Sequence, residues 1–323
     1  MTEAILGYWW RSGCDLTVRG RQVRALLVIA LFVGLVGSGC AAQVSVAEPA
    51  SLRVLLTNDD GYDTPGINAV RETLLEAGHD VTLVAPLSNQ SGSGMRVSTQ
   101  GVLDYMEHSE GIWSVDGSPA DSVLVGLLHI MESEPPDLVV SGANFGPNLG
   151  YAASSGTVGA ATMAMHAGIP AIAVSVGIDP SEYDARPFPF PSTLGAFDGA
   201  AEFTLKLIRD LQKTQKARNG LLPQKTILNV NYPPVNPAAL EGVRVVRATW
   251  DAGVRIAYEE LEEPGQLAVR LQLLDAGAPE GDDADWQWLS RGYITITVLD
   301  GNTDAGDPSR QAISSRLSAL EGK

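Results

Sequence analysis

From residue 52 onward, short unbroken apolar runs alternate with stretches of helical period. Arg53-Val54-Leu55-Leu56-Thr57 ends in the polar turn Asn58-Asp59-Asp60-Gly61, which suits a strand buried on both faces. Ile67, Val70, Leu74 and Leu75 then share one helical face over residues 67–77, and Gly78 stops that helix. Residues 81–85 read as the next strand, closing a strand, helix, strand unit whose strands pair in parallel. The pattern recurs. Ser118-Pro119-Ala120-Asp121 places an N-cap serine, a proline at the first helical position and an acid in the first turn ahead of the apolar residues 123–130. Residues 138–141 form a strand after Pro135-Pro136, residues 157–167 a helix of small side chains stopped by Gly168 and Pro170, and residues 171–176 a buried strand. A helix over 196–211 and a strand over 226–230 follow.

Beyond Tyr232-Pro233-Pro234 the texture changes. Residues 243–249, 267–274 and 293–298 are strand-like with no long helix between them, so antiparallel hairpins are expected. An acidic turn, residues 281–286, lies among them, and residues 309–320 form a last amphipathic helix. The predicted fold class is α/β: a Rossmann-like three-layer α/β/α sandwich with a mostly parallel sheet, plus C-terminal antiparallel hairpins and a terminal helix.

The first 51 residues belong to something else. Arg19, Arg21 and Arg24 precede the apolar residues 25–36, then Gly37-Ser38-Gly39 and Cys40, the layout of an export signal. An apolar helix of that length spans about 18 Å, short of a bilayer core of about 30 Å, which favours a cleaved signal over a permanent span. The tract ending in Cys40-Ala41-Ala42 resembles a bacterial lipoprotein signal, although Gly37 stands where leucine is usual. The expected organisation is an export signal over 1–39, a tether over 40–51 and one domain over 52–323. The product would be membrane-anchored through a lipidated Cys40, or periplasmic or extracellular. A misassigned start codon would instead leave it cytoplasmic.

Charge narrows the functions. The 323-residue chain carries 22 Lys and Arg against 38 Asp and Glu, a net −16, and removal of residues 1–39 leaves −18. Polymeric nucleic acid, which needs a dense basic face, is disfavoured as a partner. Both cysteines, Cys14 and Cys40, precede the domain, so it has neither a disulfide framework nor a thiolate metal site. The four histidines share no metal spacing and read as structural or surface residues. Trp286 and Trp288 read as packing or subunit contacts ahead of base stacking. No Gly-x-x-x-x-Gly-Lys-Ser/Thr loop and no Gly-x-Gly-x-x-Gly fingerprint after a strand occurs, which argues against P-loop and dinucleotide chemistry.

In open parallel sheets ligands gather at the carboxyl ends of strands. Three loops there are polar beyond what a turn needs: Asn58-Asp59-Asp60-Gly61, Asn89-Gln90-Ser91-Gly92-Ser93-Gly94, and Ser141-Gly142-Ala143-Asn144 with Gly146-Pro147-Asn148. Adjacent carboxylates, a serine hydroxyl and asparagine amides are hard oxygen donors, which favour Mg²⁺, Mn²⁺ or Ca²⁺. Ser154-Ser155-Gly156-Thr157 opens a helix, where free N–H groups attract an anion; a plain serine cap explains it equally well.

Together these loops resemble the SurE family of metal-dependent nucleotidases. The resemblance also covers Pro65-Gly66-Ile67, Gly117-Ser118-Pro119-Ala120-Asp121, Leu228-Asn229-Val230-Asn231 and Gly292-Tyr293-Ile294-Thr295-Ile296-Thr297, in family order over about 250 residues. It implies one divalent ion per subunit, Mg²⁺ or Mn²⁺, on Asp59, Asp60, Ser91 and Asn144. Asp59 or Asp60 would act as general base, and Asn58, Asn148, Ser155, Gly156 and Thr157 would face the phosphate. The implied reaction is hydrolysis of nucleoside monophosphates by water. Residues 232–323 would join the chain into a homodimer or homotetramer. Tyr151-Ala152 replaces an acidic pair, Ser154 a tyrosine and Ala143 an isoleucine. One alternative is a surface lipoprotein that binds nucleotide or phosphate without turnover. A phosphatase of the haloacid dehalogenase type would need an Asp-x-Asp motif that Asn58-Asp59-Asp60 does not supply.

Overall fold

A computed structural model describes residues 50–150, 152–182, 190–215, 220–248, 254–273, 283–301 and 306–321. The described residues all fall in one compact unit, Glu48–Lys323. The export signal, Cys40, most of the tether and Tyr151 lie outside the described residues.

The strands are β1 (Arg53–Thr57), β2 (Asp80–Pro86), β3 (Tyr105–Ser109), β4 (Ile112–Val115), β5 (Leu138–Phe145), β6 (Ala171–Val176), β7 (Ile227–Tyr232), β8 (Gly242–Val246), β9 (Val254–Glu260), β10 (Leu267–Leu273) and β11 (Tyr293–Leu299). The helices are α1 (Pro65–Glu76), α2 (Pro119–Val125), α3 (Gly156–His166), α4 (Pro191–Thr214), α5 (Asp285–Leu289) and α6 (Asp307–Glu321). Nine strands make one sheet in the order β3-β4-β2-β1-β5-β6-β7-β11-β8, and β9 pairs with β10 in a separate two-stranded sheet. Strands β4, β2, β1, β5, β6 and β7 run parallel, while β3 and β11 are antiparallel to β4 and β7.

Alternation along each strand divides the core into two layers. Val54, Leu56, Val140, Ile172, Val174 and Val230 pack with Ile67, Val70 and Leu74 of α1 and Phe197, Ala200 and Ile208 of α4. Leu55, Val139, Ala171, Ala173 and Ile227 pack with Val123 of α2 and Val158, Ala160, Ala161 and Ala164 of α3. The expected three-layer α/β/α sandwich is the observed fold. Ser118 and Asp121 close a reciprocal capping box at the start of α2, as the sequence implies.

The C-terminal strands depart from expectation. Only β9 and β10 form a free hairpin; β11 and β8 extend the main sheet, β11 antiparallel to β7 and β8 parallel to β11. Their alternation marks two different buried layers. Ile294 and Ile296 enter the α1/α4 core, while Thr295 and Thr297 lie level with Asn231 and Asn229 of β7. All four of these polar residues are buried.

Candidate active site

The first strand ends in a loop whose shape comes from Asn58. Its Oδ1 accepts from Gly61 N (3.1 Å), and its Nδ2 donates to Gly61 O (2.8 Å) and Thr64 Oγ1 (3.1 Å). Asn58 is buried with its side chain spent inside the turn, so it builds the loop. The fold in the loop carries Asp59 and Asp60 past the strand end.

Each carboxylate has its own tether. Asp59 is almost fully buried, and its Oδ1 accepts from the Thr157 hydroxyl at 2.7 Å. Asp60 Oδ2 accepts from Phe145 N (2.9 Å), and its Oδ1 from Asn89 Nδ2 (3.3 Å). Gln90 N donates to Asp59 O at 2.7 Å, which fastens the second loop to the first. Ser91, on that loop, is exposed, and its backbone N–H is held by Asn89 Oδ1 at 3.0 Å.

Asn144 reaches the same strand ends through a bulge. Opposite β6, the register of β5 shifts between Ser141 and Asn144, an extra residue of the kind that re-aims a side chain. Ala143 falls in the α1/α4 core and Asn144 comes level with Ser175. Gly142 at φ +130° makes this possible, since a Cβ there would meet the Val174 carbonyl. Asn144 Nδ2 donates to Gly146 O at 2.6 Å, leaving Oδ1 buried without a hydrogen-bond partner.

Burial controls the electrostatics. Desolvation raises the Asp59 pKa, against the Thr157 hydroxyl and the backbone N–H groups of Asp59, Thr157 and Gly156, which lower it. Desolvation also pushes Asp60 up to about 6; the Phe145 N–H opposes this and the Asp59 charge adds to it. A buried carboxylate next to a half-buried one favours a cation between them. Asn144 Oδ1 is a buried acceptor with no proton donor, and among the described residues no group of three or more His, Cys, Asp or Glu stands together. An all-oxygen set of this kind fits a hard divalent ion rather than zinc or copper.

The remaining expected phosphate residues are engaged within the protein. Ser155 caps α3, its Oγ accepting from Val158 N at 3.1 Å. The Thr157 hydroxyl serves Asp59, and Gly156 packs close against it. Asn148 lies over β6 and β7: Nδ2 donates to Ser175 Oγ (2.7 Å), its backbone N–H to Asn231 Oδ1 (2.8 Å), and its carbonyl accepts from Asn229 and Asn231. Thr157 Oγ1 and Phe145 N thus join the loops that carry Asp59, Asp60, Asn148 and Thr157.

Comparison with known proteins gives the family. The family model for Survival protein SurE matches residues 54–253. The chain belongs to the SurE family. It is 37% identical to 5'-nucleotidase SurE of Pelotomaculum thermopropionicum, covering 77% of this chain and 89% of the relative. It is 34% identical to 5'-nucleotidase SurE of Paramagnetospirillum magneticum, covering 79% and 92%. The crystal structure of the SurE protein from Aquifex aeolicus superposes with a TM-score of 0.66 at 29% identity, covering 83% of this chain and 99% of that one.

Two features of this SurE site were not legible beforehand. Ser93 Oγ is buried without a partner and lies 3.0 Å from the point where a Cβ on Gly156 would sit, while Asp59 Oδ2 lies 2.8 Å from that point. Ser175, Asn229 and Asn231 support Asn148 from below. A serine in a Gly-Ser-Gly loop looks like turn composition, and only its burial reveals it. His79 and His129 are engaged away from the site: His79 Nδ1 accepts from Leu52 N, and His129 pairs with Tyr105, while His108 stacks on Tyr62 at 4.1 Å. Trp288 packs edge-on to Tyr293 under Arg244 and Arg291.

Proposed function

We propose that this chain is a 5'-nucleotidase, a phosphomonoesterase that cleaves nucleoside monophosphates to nucleoside and phosphate. Its named relatives support the activity. The observation that carries the site is the unpartnered, buried Asn144 Oδ1, one residue before the Phe145 N–H that holds Asp60. Asp59, Asp60, Ser91 and Asn144 would hold one divalent ion, Mg²⁺ or Mn²⁺. Bound there, the ion supplies Lewis-acid polarisation of the phosphoryl group and a lowered pKa for water.

The protein's own groups do the rest. Asp59 or Asp60 would take a proton from water. Phe145 N and Asn89 hold Asp60 in place. Ser93 Oγ and Asn144 Oδ1 are polar atoms left over for ion or phosphate. A domain near −18 repels an anionic substrate, so the cation contributes to binding as well as to chemistry. The alternative of a binder without turnover is favoured by no observation.

Assembly and export complete the reading. The β9–β10 hairpin exposes Ile256, Tyr258, Leu267 and Val269, with Val269 directly opposite Tyr258, and a lone two-stranded sheet is marginal in water. We therefore assign it to contact between subunits of a homodimer or homotetramer. Export through residues 1–39, with lipidation of Cys40, places the enzyme outside the cytoplasm.

The test is phosphate release from a panel of nucleoside monophosphates, in EDTA and with added Mn²⁺ or Mg²⁺, alongside Asp60→Asn. Metal-restored release that the variant lacks is expected. Full turnover by Asp60→Asn at ordinary metal concentration would overturn the ligand set.

A further inference from the structure

We propose that Arg96 is a substrate-binding residue that takes a phosphate oxygen of the nucleotide at the rim of the site. The inference rests on the phosphomonoesterase reading above and deepens it. Among the described residues of the loops that follow the parallel strands β1, β2, β4, β5, β6 and β7, Arg96 is the only lysine or arginine. A strongly acidic chain thus keeps one described cation in those loops, at the end of the sheet where Asp59 and Asp60 stand.

A short series of hydrogen bonds ties the guanidinium to the metal donors. Asn89 Nδ2 donates to Asp60 Oδ1 (3.3 Å) and Gln90 N to Asp59 O (2.7 Å), and Oε1 of the same Gln90 accepts from Arg96 Nη2 at 2.9 Å. Ser91 follows Gln90 directly. The root of the side chain is fixed as well: Arg96 N donates to Ser93 O at 3.3 Å, and the buried Ser118 hydroxyl at the start of α2 donates to Arg96 O.

What the guanidinium lacks is an anion. Arg96 is exposed, it enters none of the ion pairs among the described residues, and its described side-chain partner is a neutral amide. The amide orients the group without neutralising it. A guanidinium carries five N–H donors in a planar fork, the shape that matches phosphate through two parallel bonds. Beside carboxylates that repel a phosphate dianion, a cation held in this way strengthens binding and speeds encounter.

The experiment compares wild type, Arg96→Gln and Arg96→Lys as full-length chains. Each is titrated by calorimetry with Mn²⁺, and with inorganic phosphate in saturating Mg²⁺, and assayed for turnover of a nucleoside monophosphate at several salt concentrations. Arg96→Gln should raise both the Kd for inorganic phosphate and KM about 10-fold, the loss of a charge-assisted contact, with a smaller fall in kcat. Arg96→Lys keeps the charge without the fork and should lie between the two. The wild-type KM should climb more steeply with salt than that of Arg96→Gln. Mn²⁺ affinity in Arg96→Gln should hold or tighten, because a cation near the metal donors is gone. An arginine that only ties the loop would give the opposite pattern, weaker Mn²⁺ binding with phosphate affinity intact. That pattern, or unchanged phosphate Kd and KM in Arg96→Gln, would overturn the proposal. A wild type that neither binds inorganic phosphate nor releases it from any nucleotide would instead sink the phosphomonoesterase reading, and this one with it.

Discussion

Replacing Asp60 by asparagine removes a charge that the folded chain holds at a cost. Burial raises the Asp60 pKa from 3.8 to about 6, so below pH 3.8 the group is protonated in both folded and unfolded states and contributes nothing to pH dependence. Between 3.8 and 6 the unfolded chain gives up the proton while the folded chain keeps it, and stability falls as pH rises. Above 6 both states are ionised and the full loss remains. At about 1.4 kcal/mol per pKa unit, the shift amounts to roughly 3 kcal/mol. Asparagine keeps an acceptor for Phe145 N without the charge. In EDTA at pH 8, Asp60→Asn should therefore be more stable than wild type by up to about 3 kcal/mol, or about 6–12 °C in Tm for a domain of this size. At pH 4 the two should nearly coincide. Added Mn²⁺ should raise the wild-type Tm and leave the variant's unmoved. The assay is thermal unfolding by circular dichroism at pH 4, 6 and 8, with EDTA or Mn²⁺. A variant less stable than wild type at pH 8 in EDTA would refute the reasoning.

Gly156→Ala forces a methyl onto Asp59 and should lower stability by about 1–3 kcal/mol and abolish Mn²⁺ binding, measured by denaturant titration and calorimetry; intact binding would show that the contact is slack. Asp121 is buried; desolvation raises its pKa, but hydrogen bonds from Ser98 and Ser118 outweigh this and hold it below 3.8. Asp121→Ala should cost about 2–3 kcal/mol at pH 7, and because a depressed acid loses its contribution as pH falls through the folded pKa, the gap should narrow only under strongly acid conditions. His79 has its pKa lowered by burial and by Arg209, so its contribution is present above pH 6.5 and lost on acidification; His79→Gln should flatten the stability profile between pH 7 and 5. Ile256→Lys with Val269→Lys should shift the assembly toward monomer in light scattering at micromolar concentration, and an unchanged mass would remove the hairpin from the interface.

The parallel half of the fold was legible because its strands are short apolar runs closed by polar turns. Strand β1 coincides with the run Arg53–Thr57, and β6 with residues 171–176. Strand β3, Tyr105–Ser109, is exposed at every position and so carries no burial signal. The alternation in β7 and β11, Leu-Asn-Val-Asn and Ile-Thr-Ile-Thr, imitates a half-solvated hairpin, yet the polar side faces a second buried layer. The candidate metal donors stand out in the sequence as polar loop chemistry. The tether from Thr157 to Asp59 was not legible, because nothing in a helix opening announces a carboxylate from 98 residues away.

The polar layer of the sheet has a consequence for how this protein can change. Across five strands, Asn144 lies level with Ser175, Ser175 with Asn231, Asn231 with Thr295, and Thr295 with Arg244. A slip of one residue in β7 or β11 would turn the asparagines and threonines toward the Phe197 layer and strip them of their partners. These residues thus enforce strand alignment as well as supporting Asn148. Directed evolution aimed at this floor to alter substrate choice would meet folding defects first, whereas the exposed loop that carries Ser91 leaves room for new specificity without rewriting the sheet.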